Sequence, residues 1–248
     1  MIDGHIHFND QEYSLKTIEN MVSVAKEKGI DTLYLLDHTH KFKELEFLYS
    51  SIKEKNTYEW YWKKKRISIN EYLDFIKLVK SKSWDIDLKF GLEVCYFKET
   101  EDEFREFIKD YNFDFLIGSI HFALGTAIDL DKDVVSSFDL DELYKDYFDS
   151  MYKCIKSKLF TFLGHPDSIK IFGLKPSFSL LPYYEKIGKL LKEYDLETED
   201  NSGLIRYGFP YPGLDPDLKK YFDKYGVKYH KSSDAHKYED IGRAFDRY

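Results

Sequence analysis

The chain opens MIDGHIHFND, and its segment Asp3-Gly4-His5-Ile6-His7 sets a carboxylate and two imidazoles at alternate positions. Side chains at i and i+2 of a β-strand project to one face, so Asp3, His5 and His7 together make a usable metal-ligand geometry. The same text also fits the polar start of a solvated strand, and the remaining histidines decide between the two. Six of the 8 histidines, His7, His38, His121, His165, His230 and His236, fall at or just past the ends of strand-like segments, and His5 and His40 lie within two residues of such ends. Their contexts are Asp37-His38-Thr39-His40, Ser119-Ile120-His121, Gly164-His165-Pro166-Asp167 and Ser233-Asp234-Ala235-His236, joined by Gly91-Leu92-Glu93. Each motif alone fits a turn or a strand end. Together they make a nitrogen- and oxygen-rich donor set without thiolates, suited to Zn²⁺, Mn²⁺ or Fe²⁺. His230 has no motif around it and reads as structural. His40 is open to three roles: contacting substrate, supporting His38, or facing water.

These residues need elements that bring them together. Apolar, β-rich runs recur at Ile2–His7, Thr32–Leu36, Leu88–Val94, Phe115–Ile120, Leu159–Leu163, Leu196–Thr198 and Val227–His230. Helical patterns lie between them at Ser14–Lys28, Ile69–Lys80, Glu101–Lys109, Leu140–Lys158, Leu181–Tyr194 and Pro216–Tyr225. Start and stop signals include Thr100 with Glu103 as a capping box, Asp139 and Asp215 as N-caps, Pro216 at a first helical position and Gly226 as a stop. Alternating strands and helices with short linkers predict a parallel sheet in one domain spanning residues 1–248, closed or nearly closed into a seven-stranded α/β barrel. In such a barrel the carboxyl ends of the strands form the face where ligands collect, and that is where the histidines fall. The long connection Lys41–Arg66 is expected to form a lid or an extra helix near that face.

Composition narrows the partners. A formal net charge of −8 argues against a broad nucleic-acid footprint. Lys63-Lys64-Lys65-Arg66, beside Trp60, Tyr61 and Trp62, is the dense basic cluster, and it reads either as a solvated helix approach or as a contact for single-stranded nucleic acid. Cys95 and Cys154 are far apart without a Cys-x-x-Cys spacing, so both are expected to be reduced core residues. No apolar run reaches membrane-spanning length and the N-terminus does not read as a presequence, which makes the cytoplasm the expected location.

Taken in order, DGHIH, LDHTH, GLEV, GSIHF, GHPD and SDAH resemble the polymerase-and-histidinol-phosphatase family over Asp3 to His236. HFALGTAIDLD, EDNSGLIRYGFPYP and SDAHKYEDIG resemble its histidinol-phosphate phosphatase branch. The resemblance implies a distorted (β/α)7 barrel with two or three divalent metal ions, Zn, Mn or Fe, at the strand ends. It implies one metal held by His5, His7, Glu93 and Asp234, and a second by Glu93, His121 and His165, with Glu93 bridging. A third would be held by His38 and His236. Many relatives supply a histidine shortly after the first motif for that site; here the text is Phe8-Asn9-Asp10-Gln11-Glu12, and Glu12 is the substitute expected. A metal-bound hydroxide near Glu93 and Asp234 would attack phosphorus, with L-histidinol phosphate the implied small-molecule substrate. Arg206 matches an arginine of the branch and is expected to grip phosphate. The other readings are a phosphoesterase or exonuclease of the same family acting on nucleic acid or another ester, and a non-catalytic, metal-stabilised scaffold. Oligomeric state is not legible.

Overall fold

The computed structural model describes residues 1–9 and 11–247. Its strands are β1 (Ile2–His7), β2 (Thr32–His38), β3 (Asp87–Cys95), β4 (Phe115–Ser119), the short pair β5 (Phe122–Ala123) and β6 (Thr126–Ala127), then β7 (Phe162–Leu163), β8 (Glu197–Asn201) and β9 (Tyr229–Ser232). The helices are α1 (Leu15–Glu27), α2 (Lys55–Lys63), α3 (Ile69–Lys80), α4 (Glu101–Ile108), α5 (Lys132–Ser136), α6 (Leu140–Ser157), α7 (Leu181–Glu193) and α8 (Pro216–Tyr225). Seven strands pair in parallel in the order β1-β2-β3-β4-β7-β8-β9, while β5 and β6 form a separate antiparallel hairpin.

The sheet closes through one parallel bridge, Ile6 to Ala235. There His7 N–H donates to the Ala235 carbonyl at 2.8 Å and Ala235 N–H to the His5 carbonyl at 3.3 Å. The result is a distorted (β/α)7 barrel whose seam passes between two histidine motifs. Each wrapping helix buries one apolar face, such as Ile18, Met21, Val22 and Ala25 on α1. Each such side chain contributes roughly 1.5–3 kcal/mol on burial.

Local signals explain several boundaries. Asp139 and Asp215 accept hydrogen bonds from the first-turn amides of α6 and α8, and Gly226 ends α8 at φ 64°. Two expectations differ. Thr100 makes no side-chain cap bond; its hydroxyl lies 3.5 Å from the Phe97 carbonyl, so α4 starts without the capping box. The capping box lies instead on α3, between Ser68 and Glu71. The 41–66 connection folds as a 3-10 turn over Lys43–Ser51 followed by α2, an extra helix. Among the described residues no helix is long and apolar enough to cross a membrane.

Candidate metal centre

The carboxyl ends of the parallel strands bring the histidine motifs to one place. His5 and His7 come from β1, both essentially inaccessible, and Glu93 from β3 is 0% exposed. His38 ends β2, while His121, His165, Asp234 and His236 follow β4, β7 and β9.

Glu93 stands between two pairs of imidazoles. Its Oε1 lies 3.2 Å from His121 Nε2 and 2.8 Å from His165 Nε2. Its Oε2 lies 3.4 Å from His5 Nε2, 3.5 Å from His7 Nε2 and 2.7 Å from His38 Nδ1. Within the pairs, His5 Nε2 and His7 Nε2 are 3.0 Å apart, and His121 Nε2 and His165 Nε2 are 3.2 Å apart. Four donor groups result: His5/His7/Glu93, Glu93/His121/His165, His7/His38/His236 and His38/Cys95/His121.

The donors fit divalent ions. Zinc binds imidazole at 2.0–2.1 Å in a tetrahedron, whose edge is then about 3.3 Å, close to these nitrogen and oxygen separations. His7 Nδ1 and His165 Nδ1 are buried without a hydrogen-bond partner, while Glu93 Oε2 and His38 Nδ1 face each other at 2.7 Å. Buried polar atoms ordinarily have a partner, and Glu93 Oε2, facing His5, His7 and His38 at 3.4, 3.5 and 2.7 Å, suits a shared cation. Burial opposes charge on Glu93, but His38, His121 and His5 outweigh it and hold its carboxyl well below the usual range.

Other residues shape the rim. Asp234 Oδ1 is 3.4 Å from His7 Nε2, and its Oδ2 accepts from Arg206 Nη2 at 3.1 Å. Burial pushes the Asp234 carboxyl up, but Arg206 and His7 more than reverse this. Asp234 holds φ 51°, an uncommon backbone region for a residue other than glycine. Gly203 is required opposite it, because a Cβ there would lie 2.4 Å from Asp234 Oδ2. Arg206 Nη1 also donates to His236 Nδ1 at 2.9 Å. A cleft of about 90 Å³ runs among His38, Glu93, His165, Asp129, Arg206 and His236. Larger clefts of about 300 and 560 Å³ lie elsewhere and, among the described residues, contain no such donor cluster.

Two sequence expectations are corrected. Glu12 does not join the donors: it is exposed, and its backbone carbonyl is engaged at the start of α1, accepting from Ser14 N–H at 2.9 Å and the Thr17 hydroxyl at 2.8 Å. The third donor group is completed by His7, whose ring centroid lies 4.2 Å from that of His38 and 4.3 Å from that of His236. Asp3 does not project with His5 and His7, because the β1–β2 register shifts between Asp3 and Ile6. Asp3 instead accepts from Ser233 N–H at 2.9 Å and Gly242 N–H at 2.8 Å. Cys95 is a free, buried core thiol as expected, and its sulfur also lies 3.3 Å from His121 Nδ1.

His40 stacks on His38 with centroids 4.8 Å apart and meets Trp60 of α2 at 5.2 Å, so the extra helix covers this edge of the centre. Burial lowers the His40 pKa to about 4, which keeps it neutral and able to accept a hydrogen bond. His230 belongs to none of the donor groups. It packs 4.7 Å from Phe162 and under Gly4, where a Cβ would come within 2.1 Å of its ring.

Glu199 on β8 is the outer residue the motifs do not announce. Its carboxylate lies 3.1–3.2 Å from His5 Nδ1 and accepts His165 N–H at 2.6 Å and Asn201 Nδ2 at 2.9 Å. The readable signal is the run Thr198-Glu199-Asp200-Asn201-Ser202, buried throughout, on a parallel strand that would ordinarily be apolar. Asp129, lining the cleft, is the second such residue.

Comparison with known proteins agrees with this geometry. Residues 3–204 match the family model described as PHP domain. A protein of Deinococcus radiodurans named "probable histidinol-phosphatase" is 24% identical over 255 residues, covering 99% of this chain and 90% of its own. Among solved structures, a Listeria monocytogenes chain assigned as a histidinol phosphatase superposes with a TM-score of 0.80 at 20% identity, covering all of both chains. Histidinol phosphate phosphatase from Lactococcus lactis, complexed with zinc, L-histidinol and phosphate, gives 0.69 at 18% identity over 99% of this chain and 91% of its own.

Proposed function

The chain belongs to the PHP domain family, and from that premise we propose that it is a metal-dependent phosphomonoesterase that hydrolyses L-histidinol phosphate to L-histidinol and phosphate. The observation that carries the proposal is Glu93, a buried carboxylate with one oxygen toward His121 and His165 and the other toward His5 and His7. A carboxylate in that position is suited to join two divalent ions. His5, His7, Glu93 and Asp234 would hold one, Glu93, His121 and His165 a second, and His38 and His236 a third. When bound, such ions supply a water of lowered pKa and Lewis acidity toward phosphoryl oxygens.

The chain's own groups would do the rest. Arg206, beside Asp234 and His236 at the cleft, would present its planar fork to the phosphate. Glu199 would keep the His5 ring oriented through Nδ1. Asp129 carries an acidic group into the cleft, and burial raises its pKa even against His121 and His165. It would face the cationic part of the substrate. Trp60, edge-on to His40, would cover that side of the centre and limit water.

The relatives named for histidinol phosphate and the small size of the cleft at the centre, about 90 Å³, favour a phosphate monoester over nucleic acid. Within the basic cluster, Lys63 pairs with Glu59 and Arg66 with Glu46, which blunts it as a nucleic-acid contact. The test is phosphate release from L-histidinol phosphate compared with p-nitrophenyl phosphate and an oligonucleotide. Preference for histidinol phosphate supports the proposal; faster cleavage of the oligonucleotide would favour the exonuclease reading; binding of metal without hydrolysis of any ester would favour a scaffold.

A further inference from the structure

We infer that Cys95 is a positioning residue of the centre: its sulfur accepts the Nδ1–H of His121 and holds that ring in the tautomer that turns the Nε2 lone pair toward Glu93 and His165. The inference rests on the metal-binding part of the proposed function. Cys95 ends β3, two positions after Glu93, and is 2% exposed. Its place is fixed on the backbone side, where its N–H donates to Thr39 Oγ1 at 3.2 Å and that hydroxyl is bonded to Tyr49 OH at 2.7 Å.

The argument follows from the inventory of imidazole. A neutral ring carries one N–H, and only the other nitrogen offers a lone pair. His121 points Nε2 into the donor cluster, 3.2 Å from both Glu93 Oε1 and His165 Nε2. Its proton must then sit on Nδ1 and needs an acceptor. Cys95 Sγ occupies that position at 3.3 Å. The arrangement repeats on the opposite side of the cluster, where Glu199 faces His5 Nδ1 at 3.1 Å. One donor pair thus has a carboxylate behind it, and the other a sulfur. Outer partners of this kind fix tautomer and ring orientation, and losing one typically weakens metal binding by roughly 10- to 100-fold. Cys154, the other thiol, is buried at the barrel wall by Gly118 and belongs to none of the donor groups, so it serves as the control.

The experiment measures metal affinity by competition with a chromophoric chelator, using full-length protein stripped and then reloaded with Zn²⁺ or Co²⁺. The chains compared are the unsubstituted protein and Cys95→Ala, Cys95→Asp and Cys154→Ala. Cys95→Ala is expected to weaken one metal-binding step by roughly 10- to 100-fold. Cys95→Asp should recover most of that loss, since a carboxylate accepts the same N–H as Glu199 does for His5. Cys154→Ala should bind as the unsubstituted protein. A purely structural role predicts the reverse order, with Cys95→Asp the worst because it buries a carboxylate without a partner. Unchanged affinity in Cys95→Ala, or weaker binding in Cys95→Asp than in Cys95→Ala, overturns the inference. So does a thiolate-to-cobalt charge-transfer band in the unsubstituted protein, because sulfur would then be a direct ligand. Should Cys95→Asp fail to fold, the exchange-protected Nδ1–H proton resonance of His121 decides; its absence from the loaded, unsubstituted protein refutes the assignment. Because the readout is affinity, inactivity toward L-histidinol phosphate would leave the inference standing.

Discussion

Replacing Glu199 by glutamine separates the charge behind His5 from the hydrogen bonds around it. Three donors converge on Glu199 Oε1: His5 Nδ1 at 3.2 Å, His165 N–H at 2.6 Å and Asn201 Nδ2 at 2.9 Å. Glutamine can keep an oxygen there for all three, with its amide nitrogen taking the place of Oε2, 3.1 Å from His5 Nδ1. What it loses is the negative charge, which His5 and His165 stabilise against the opposing effect of burial. Loss of such an outer partner weakens metal binding by roughly 10- to 100-fold, about 1.4–2.8 kcal/mol at 1.4 kcal/mol per tenfold. Alanine is different, since it leaves three buried donors unsatisfied. At the low end of about 1 kcal/mol each that is about 3 kcal/mol, or a fall of roughly 6–12 °C in the melting temperature for a chain of this size. The assays are a thermal melt of the chelated protein and a metal-competition titration. Glu199→Gln should melt within about 3 °C of the unsubstituted protein while binding metal more weakly, and Glu199→Ala should fail in both assays. Equal melting losses in the two variants, with metal affinity intact in Glu199→Gln, would refute the reasoning and leave Glu199 a fold residue.

Glu93→Ala should abolish phosphate release, by at least about 10³-fold, and lower the bound metal content, because two of the four donor groups contain this carboxylate; circular dichroism should remain that of the folded barrel, and unchanged turnover would remove the bridging role. Arg206→Ala should chiefly raise KM for the phosphate ester, since the side chain sits at the cleft on Asp234 and His236; steady-state kinetics with an unchanged KM would take it out of the substrate site.

Much of this is legible in the sequence because the motifs are local. His-x-His on a strand, and an imidazole just after a strand end, need only the strand–helix alternation to place them, and β1, β2, β3 and β4 supply it. Helices α3 and α8 fall on their predicted bounds, since Pro216, Gly226 and the apolar spacing act within a turn or two. The remainder depends on register and long-range packing. The β1–β2 irregularity that turns Asp3 away from His5 has no marker in DGHIH. Glu12 and Cys95 show the same point from both sides. A carboxylate near the first motif is exposed, whereas a thiol assigned to the core comes to rest against His121 because β3 lies beside β4 and the two run in parallel. Glu199 hides in a strand whose partners, His5 and His165, lie 194 and 34 residues away.

The most direct test of the central claim is titration of the chelated protein with Zn²⁺ or Mn²⁺ while phosphate release from L-histidinol phosphate is followed. The account predicts no release from the chelated protein and activity that returns with the first equivalents of metal and saturates at two or three per chain. Full activity in the chelated protein, or saturated metal binding without hydrolysis of this ester, would contradict it.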